Sequence, residues 1–337
     1  MFGHKHYVPI LKAKAGERWA IDRLSLATRK DLTPLFEIHA HKNKGDVEHA
    51  EEVCDAMSSV WGTASRFFLD TVWLHDPTGD SVVVEGTFDY ARSIGLLAVP
   101  VVRLTYDAAT LDIIRDIMDQ DDRGCMLRLP VRDLTGADAA INGVVQYLQT
   151  TPAQIDLLVD YRHHPMDLPT DVPAVPTINA WRTFTAASGS CPRSLVGLPL
   201  NVWQPLQRHD WITWLAGVTG GGLARRPAFG DYTMRDPGPP AGGGNPPVSI
   251  KYTTASNWMA RLGRRFQAGF SGDMFAICAD LVTRADYSGP AFSVGDHTIN
   301  EVAQQNDGPG NPQHWLQWGM NHHMTFVVDQ IRHHPGL

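Results

Sequence analysis

The chain has 337 residues, 43% hydrophobic and 19% charged, with a formal net charge of −7. This is the composition of a globular protein with a large core, and the acidic balance argues against a surface that coats nucleic acid irrespective of sequence. No stretch approaches the ~20 apolar residues of a membrane span, and the opening MFGHKHYVPILKAK lacks the apolar run of a signal peptide, so the expected setting is the cytoplasm.

Apolar strand-like runs alternate with amphipathic stretches, the pattern of parallel βα units. The first strand is expected at 7–11, followed by a helix over 17–29 with Trp19, Leu24 and Leu26 among its apolar positions. A strand at 33–38 leads to a helix at 47–60, and a strand at 66–72 to a short helix at 88–93. The fourth strand, 97–104, is almost wholly apolar, as suits a strand covered on both faces. The helix at 108–118 carries a stripe of Leu111, Ile114, Ile117 and Met118. Next come a strand at 125–129, a helix at 139–148, a strand at 156–160 and a helix at 179–187. The seventh strand is expected at 194–200, a Trp-rich helix at 210–216 and the eighth strand at 228–231. This alternation predicts a closed (β/α)8, TIM-type barrel. An open doubly wound sheet is the alternative, but no glycine-rich dinucleotide fingerprint follows the first strand.

The chain reads as one domain: a barrel core over 1–234, a Pro/Gly loop at 235–248 that is either lid or linker, and an extension over 249–337 packed on the barrel. Residues 248–263 suit a hairpin, or a strand followed by a helix, and helices are expected at 274–282, 297–305 and 314–331. Cys54, Cys125, Cys191 and Cys278 have neither zinc-ligand nor redox-motif spacing. They read as free, buried thiols in a reducing compartment.

In a barrel of this kind the chemistry collects at the C-terminal ends of the strands, and side chains two apart on a strand share a face. Lys12 and Lys14 follow the first strand, and Glu37 and His39 the second. Asp70 ends the third, Arg103 the fourth and Arg128 the fifth. Asp160 ends the sixth, with Arg162 two further, and Asp231 ends the eighth, followed by Tyr232. Only the seventh, ending at Pro199 and Asn201, carries no charge. Isolated charges there would be costly to bury, and a ring of mixed sign offsets that cost by pairing.

The ring reads either as a salt-bridge network plugging the mouth or as a functional site. In the second reading Glu37, Asp70, Asp160 and Asp231 are catalytic carboxylates, suited to acid–base work or to a hard cation such as Mg²⁺. Lys12, Lys14, His39, Arg103, Arg128, Arg162 and Tyr232 then hold a small anionic ligand, the arginines gripping phosphate or carboxylate with paired hydrogen bonds. His322 and His323, set among apolar residues, are candidates to close over the mouth. His163-His164 and His333-His334 suit surface or capping roles. There is no zinc-protease signature, nucleophile elbow or P-loop, and the residues define no particular metal or cofactor.

Several segments resemble the phage-type Beta protein family of bacteria and their phages. They are YVPILKAK at 7–14, GERWA at 16–20, LTPLFEI at 32–38, FLD at 68–70, VPVVRL at 99–104, GDYT at 230–233, SGPAFS at 288–293, GDHTI at 295–299 and NHH at 321–323. The resemblance implies no particular activity. It suggests a role in phage–host conflict and marks Lys12, Glu17, Glu37, Asp70, Asp231, His322 and His323 as motif positions. Glu17 enters only this way, since a carboxylate there also suits the start of a helix.

Two functions are therefore expected of the ring. One is a hydrolase or lyase acting on a phosphorylated or nucleotide-like ligand. The other is a non-catalytic recognition module, in defence or counter-defence, that binds a ligand or a partner protein. An enzyme requires a reachable pocket with a free carboxylate beside the arginines; a recognition module can have its ring fully paired.

Overall fold

The computed structural model describes residues 1–238, 247–265 and 272–337. The strands are β1 (Tyr7–Leu11), β2 (Leu35–His39), β3 (Phe67–Trp73), β4 (Ala98–Val102), β5 (Cys125–Pro130), β6 (Ile155–Arg162), β7 (Thr183–Ser188), β8 (Gln204–Gln207) and β9 (Ala228–Asp231). All except β8 are parallel and form a closed eight-stranded barrel, sealed where β9 pairs with both β7 and β1. The helices α1 (Ala15–Asp22), α2 (Leu26–Lys30), α3 (Asp46–Val60), α4 (Ser81–Ser93), α5 (Ala108–Asp121), α6 (Asp138–Tyr147), α7 (Leu168–Asp171) and α8 (His209–Thr219) connect the strands. The expected barrel is thus the observed one.

Three local expectations are corrected. The helix at 17–29 is two helices, because Ser25 breaks it and caps α2 by accepting from the Thr28 N–H at 3.0 Å. The helix before β4 begins at Ser81 rather than 88, where Asp80 accepts from the Val83 N–H at 3.1 Å. The seventh strand is not 194–200 but Thr183–Ser188, which pairs with β6 and β9 and occupies most of the stretch expected as a helix at 179–187. Its sequence TFTAAS is short of large apolar residues, so a search for apolar runs passes over it. Around the displaced segment, Leu195 packs instead against Ala260 and Leu262.

Beyond the barrel, β10 (Pro247–Thr253) and β11 (Asn257–Arg265) form an antiparallel hairpin, and β11 pairs with β8. The alternative of a strand followed by a helix is thereby set aside. Of the Pro/Gly loop at 235–248, residues 239–246 lie outside the described residues. Helices α9 (Asp273–Leu281), α10 (Val294–Ala303) and α11 (Pro312–His333) share an apolar cluster with the hairpin, including Ile250, Met274, Ile299 and Trp318. Helix α11 returns to the barrel, where Asn321 Nδ2 donates to the Ala20 carbonyl at 2.9 Å. No described helix is long and apolar enough to cross a membrane.

Gly124, at the entry to β5, has φ +63°, and a Cβ there would lie 2.0 Å from the Gln154 carbonyl oxygen. Backbone cannot yield as a side-chain tip can. Gly124→Ala is expected to cost at least about 1 kcal/mol, read as a lowered urea midpoint. An unchanged midpoint would contradict this packing.

Candidate functional site

The lumen of the barrel is filled in two tiers. The lower tier is apolar: Val8, Ile10, Leu35, Phe68, Val99, Val101, Met126 and Leu158 form one buried cluster. One step of two residues along each strand leads to the upper tier. Leu35 is followed by Glu37, Phe68 by Asp70, Val101 by Arg103, Met126 by Arg128 and Leu158 by Asp160. The same pleat that buries the hydrophobic residues therefore aims the charges into the mouth.

Arg128 is the hub and is fully buried. A guanidinium has five N–H donors, and Arg128 makes five bonds. Its Nη1 donates to Glu37 Oε1 at 2.9 Å and to Asp70 Oδ2 at 2.7 Å. Its Nε and Nη2 donate to Asp160 Oδ2 at 3.0 and 2.7 Å, and Nη2 also donates to the Tyr232 hydroxyl at 2.6 Å. That hydroxyl in turn donates to Asp160 Oδ2 at 2.6 Å. Arg103 adds a second cation, donating to Asp70 Oδ2 at 2.6 Å. Burial alone would disfavour the Glu37 carboxylate, yet Arg128 and His39 hold its carboxyl below the usual carboxylate range. Burial likewise raises the Tyr232 phenol, which stays protonated and able to donate.

The aspartates near the strand ends also bond to their own backbone two residues on. Asp70 Oδ1 accepts from the Val72 N–H at 3.0 Å, Asp160 Oδ1 from the Arg162 N–H at 2.9 Å and Asp231 Oδ1 from the Thr233 N–H at 2.8 Å. This is the Asx turn, in which an aspartate oxygen accepts from the backbone N–H two residues on. It helps to hold Arg162 and Thr233 at φ +56° and +53°, a left-handed conformation that costs a non-glycine residue roughly 1–2 kcal/mol.

Within this network Glu37 Oε2 is the one carboxylate oxygen with no hydrogen-bond partner, and it is buried. His39 Nε2 lies 3.5 Å from it and is also unpartnered. Mg²⁺ does not fit here: the cation that Glu37, Asp70 and Asp160 surround is the Arg128 guanidinium, and a Mg²⁺ ion needs several free oxygens. Among the described residues, no group of three or more His, Cys, Asp or Glu side chains has the arrangement of a metal site.

Asp231, His322 and His323 do not join the ring. Asp231 shares a strand face with Phe229, which packs on Tyr7, Trp211 and Trp214 in the outer core. Asp231 therefore points away from the lumen, and Tyr232, one residue on, points in. Asp231 accepts from the Tyr7 hydroxyl at 2.5 Å and lies 2.8 Å from His323 Nε2. His323 Nδ1 meets Thr253 Oγ1 at 2.9 Å, and the Thr253 carbonyl meets His322 Nε2 at 2.9 Å. His322 Nδ1 then pairs with Asp296 Oδ2 at 2.9 Å, and Tyr252 donates to Asp296 Oδ1 at 2.7 Å. This second buried network fastens the extension to the barrel. Burial resists ionisation of Asp231, but His323, Tyr7 and the Thr233 N–H hold its carboxyl below the usual range. Glu17 is buried and accepts from Arg235 Nε at 3.1 Å, so it ties α1 to the segment after β9.

Two clefts open beside the Arg128 network. The first, of about 350 Å³, is lined by Trp73, Arg103, Arg132, Arg162, His163 and His164, among others. The second, of about 330 Å³, is lined by Lys12, Lys14, Arg18, His39, His41 and His49, with Glu52 as its acid. Lys12 Nζ donates to the Gly238 carbonyl, and burial pushes its pKa down. Trp73, Arg18, Arg132 and His49 were not expected at the mouth, and His163-His164 lines a cleft although it read as surface. Their signal was position: they fall within a few residues of strand ends or on the helices that follow. The four cysteines are free and buried, and burial pushes the Cys54, Cys125 and Cys278 thiols up to about 12, which suits packing rather than nucleophilic chemistry.

Fold and site together define a (β/α)8 barrel whose C-terminal mouth is closed by a buried arginine–carboxylate hub and rimmed by basic clefts. The chain belongs to the Beta protein family, whose model matches residues 7–329. No curated protein matches it. Among solved structures, it is similar to a protein of Anabaena variabilis described as a sugar phosphate isomerase/epimerase, with a TM-score of 0.35 and 8% identity over 69% of this chain and 85% of that one. At that similarity nothing of the neighbour's chemistry transfers.

Proposed function

We propose that this barrel recognises an anionic ligand, phosphorylated or nucleotide-like, at its C-terminal mouth, and does not turn it over. One observation carries the reading: every acid of the mouth is paired with Arg128 or Arg103, Glu37 keeping one buried oxygen free, whereas three rim cations are in no ion pair among the described residues. Lys14, Arg18 and Arg162 line the clefts and make no ion pair with a described residue. An entering phosphate would gain charge-assisted hydrogen bonds there without breaking an ion pair. Asp70 and Asp160 then position the arginines, and Asp231 with His322 and His323 braces the extension. In the phage–host setting that the family resemblance suggests, such a module would sense a ligand or a partner protein in the cytoplasm.

A thermal-shift screen over nucleotides, sugar phosphates and inorganic phosphate tests this. A ligand at a hundred times its Kd stabilises the native state by about 2.7 kcal/mol. The shift is expected with a phosphorylated compound and is expected to shrink in Arg162→Ala. Arg162 lies outside the five bonds of Arg128, so the unliganded variant should lose only about 1–2 kcal/mol, the stacking on Trp73 and the hydrogen bond to Tyr232. A wild-type protein indifferent to every phosphorylated compound would refute the reading.

The hydrolase or lyase reading has one observation in its favour, the unpartnered Glu37 Oε2 and His39 Nε2 at 3.5 Å. They are the pair in the network placed to pass a proton. On that reading Glu37→Gln abolishes turnover of a phosphorylated substrate while ligand binding persists. If the wild type turns over no phosphorylated compound that it binds, recognition is left.

A further inference from the structure

The rim cations fall into two separate clefts, and the wall between them is a stack of planar groups. His39 lines the second cleft and Trp73 the first. They are register partners on β2 and β3, and their rings stack at 5.2 Å and 13°. Arg162 lies against the Trp73 ring from the first cleft, 5.5 Å from its centroid. Trp73 is thus engaged by both an imidazole and a guanidinium, which leaves it poorly placed to stack a base. Recognition at this mouth falls to charged groups.

Each cleft is equipped for its own anion. In the first, Arg162 makes no ion pair with a described residue, and the Arg132 side chain, 84% exposed, is paired at 3.5 Å with its chain neighbour Asp133 by Nε, which leaves its terminal nitrogens to the cleft. Its acid, Asp160, is already taken by Arg128 and Tyr232. Arg103 Nε and Trp73 Nε1 are buried N–H groups without partners there. In the second, Lys14 and Arg18 are unpaired among the described residues, and Glu52 is engaged by Lys44. His39, only 9% exposed, has an Nε2 that makes no hydrogen bond and lies 3.5 Å from Glu37 Oε2. Helix α1 begins in this cleft, and its N-cap residue, Lys14, supplies no side-chain cap, which leaves first-turn N–H groups for an anion.

We propose that the ligand of this protein is a small molecule bearing two separated phosphate groups, one seated in each cleft, with its middle crossing the His39–Trp73–Arg162 stack. This rests on the anion-recognition reading above and names the ligand class. Joining two phosphates makes the second contact intramolecular, so the gain depends on whether the linker spans the wall.

Calorimetric titration with inorganic phosphate, alkyl monophosphates and α,ω-alkane bisphosphates of increasing chain length measures that dependence. One bisphosphate length is expected to bind about 100-fold more tightly than the monophosphate, with shorter and longer members falling off. Lys14→Ala with Arg18→Ala should reduce that bisphosphate to the affinity of the monophosphate, while the monophosphate itself still binds in the first cleft. Arg132→Ala, a highly exposed position, should produce the same loss from the other side and guards against a folding defect in the first variant. If monophosphates bind and no bisphosphate exceeds them, the two-cleft ligand is refuted and anion recognition stands. If neither binds, both fall.

Discussion

Arg128→Met is expected to leave the protein unfolded or aggregated at neutral pH, a loss of about 3–5 kcal/mol. Methionine fills much of the volume, so the cost is electrostatic. Glu37, Asp70 and Asp160 would be left converging in a buried lumen with Arg103 as their remaining hydrogen-bonded guanidinium. The pH dependence should invert. In the wild type, Glu37 is held below the usual carboxylate range, so its stabilising contribution is present above the unfolded pKa and is lost as pH falls through the lower native value. In the variant the carboxylates are buried without their cation, and folding must take up protons. Its stability should therefore rise as the pH is lowered toward the unfolded carboxylate range. Urea unfolding at neutral and mildly acidic pH reads both effects. A variant as stable as the wild type at neutral pH, or one that acid weakens further, would show that the hub does not hold the mouth together. Adding Glu37→Gln and Asp70→Asn to Arg128→Met should recover part of the loss, because these residues act as one network and their effects do not add.

Asp231→Ala is expected to cost about 3 kcal/mol or more and to leave ligand affinity unchanged. The aspartate is fully buried and accepts from Tyr7 and the Thr233 N–H while pairing with His323. Truncation strands polar groups in the seam between barrel and extension. The split readout matters, since Asp231 ends a barrel strand as Asp70 and Asp160 approach the ends of theirs. A destabilised variant that still shows the full ligand-induced shift confirms that Asp231 braces the extension. Lost binding with intact stability would return it to the mouth.

Much of the barrel was legible because its signals are local. The apolar run at 7–11 and the AFGD segment at 228–231 are the observed β1 and β9. Helix α5 follows its stripe of Leu111, Ile114 and Ile117. The misses were local too, where the signal was weak. Thr183–Ser188 earns its strand by pairing on both sides with β6 and β9, a property of neighbours and not of the hexapeptide. The helix break at Ser25 and the early start of α4 turned on single capping bonds.

The charges were legible as a class. Six of the ring residues (Glu37, Asp70, Arg103, Arg128, Asp160 and Tyr232) meet in one network, and Lys12, Lys14, His39 and Arg162 line the clefts beside it.

By itself the sequence determined where seven of the eight barrel strands run and that ionisable groups wait near their C-terminal ends, since side-chain alternation along a strand is a property of adjacent residues. Which acid each cation meets was settled only by barrel closure. Arg128 finds Asp160, Asp70 and Glu37 at separations of 32, 58 and 91 residues, across strands whose relative register no short stretch of chain encodes. Closure likewise turned Asp231 outward and Tyr232 inward, because a difference of one residue along a strand selects the opposite face.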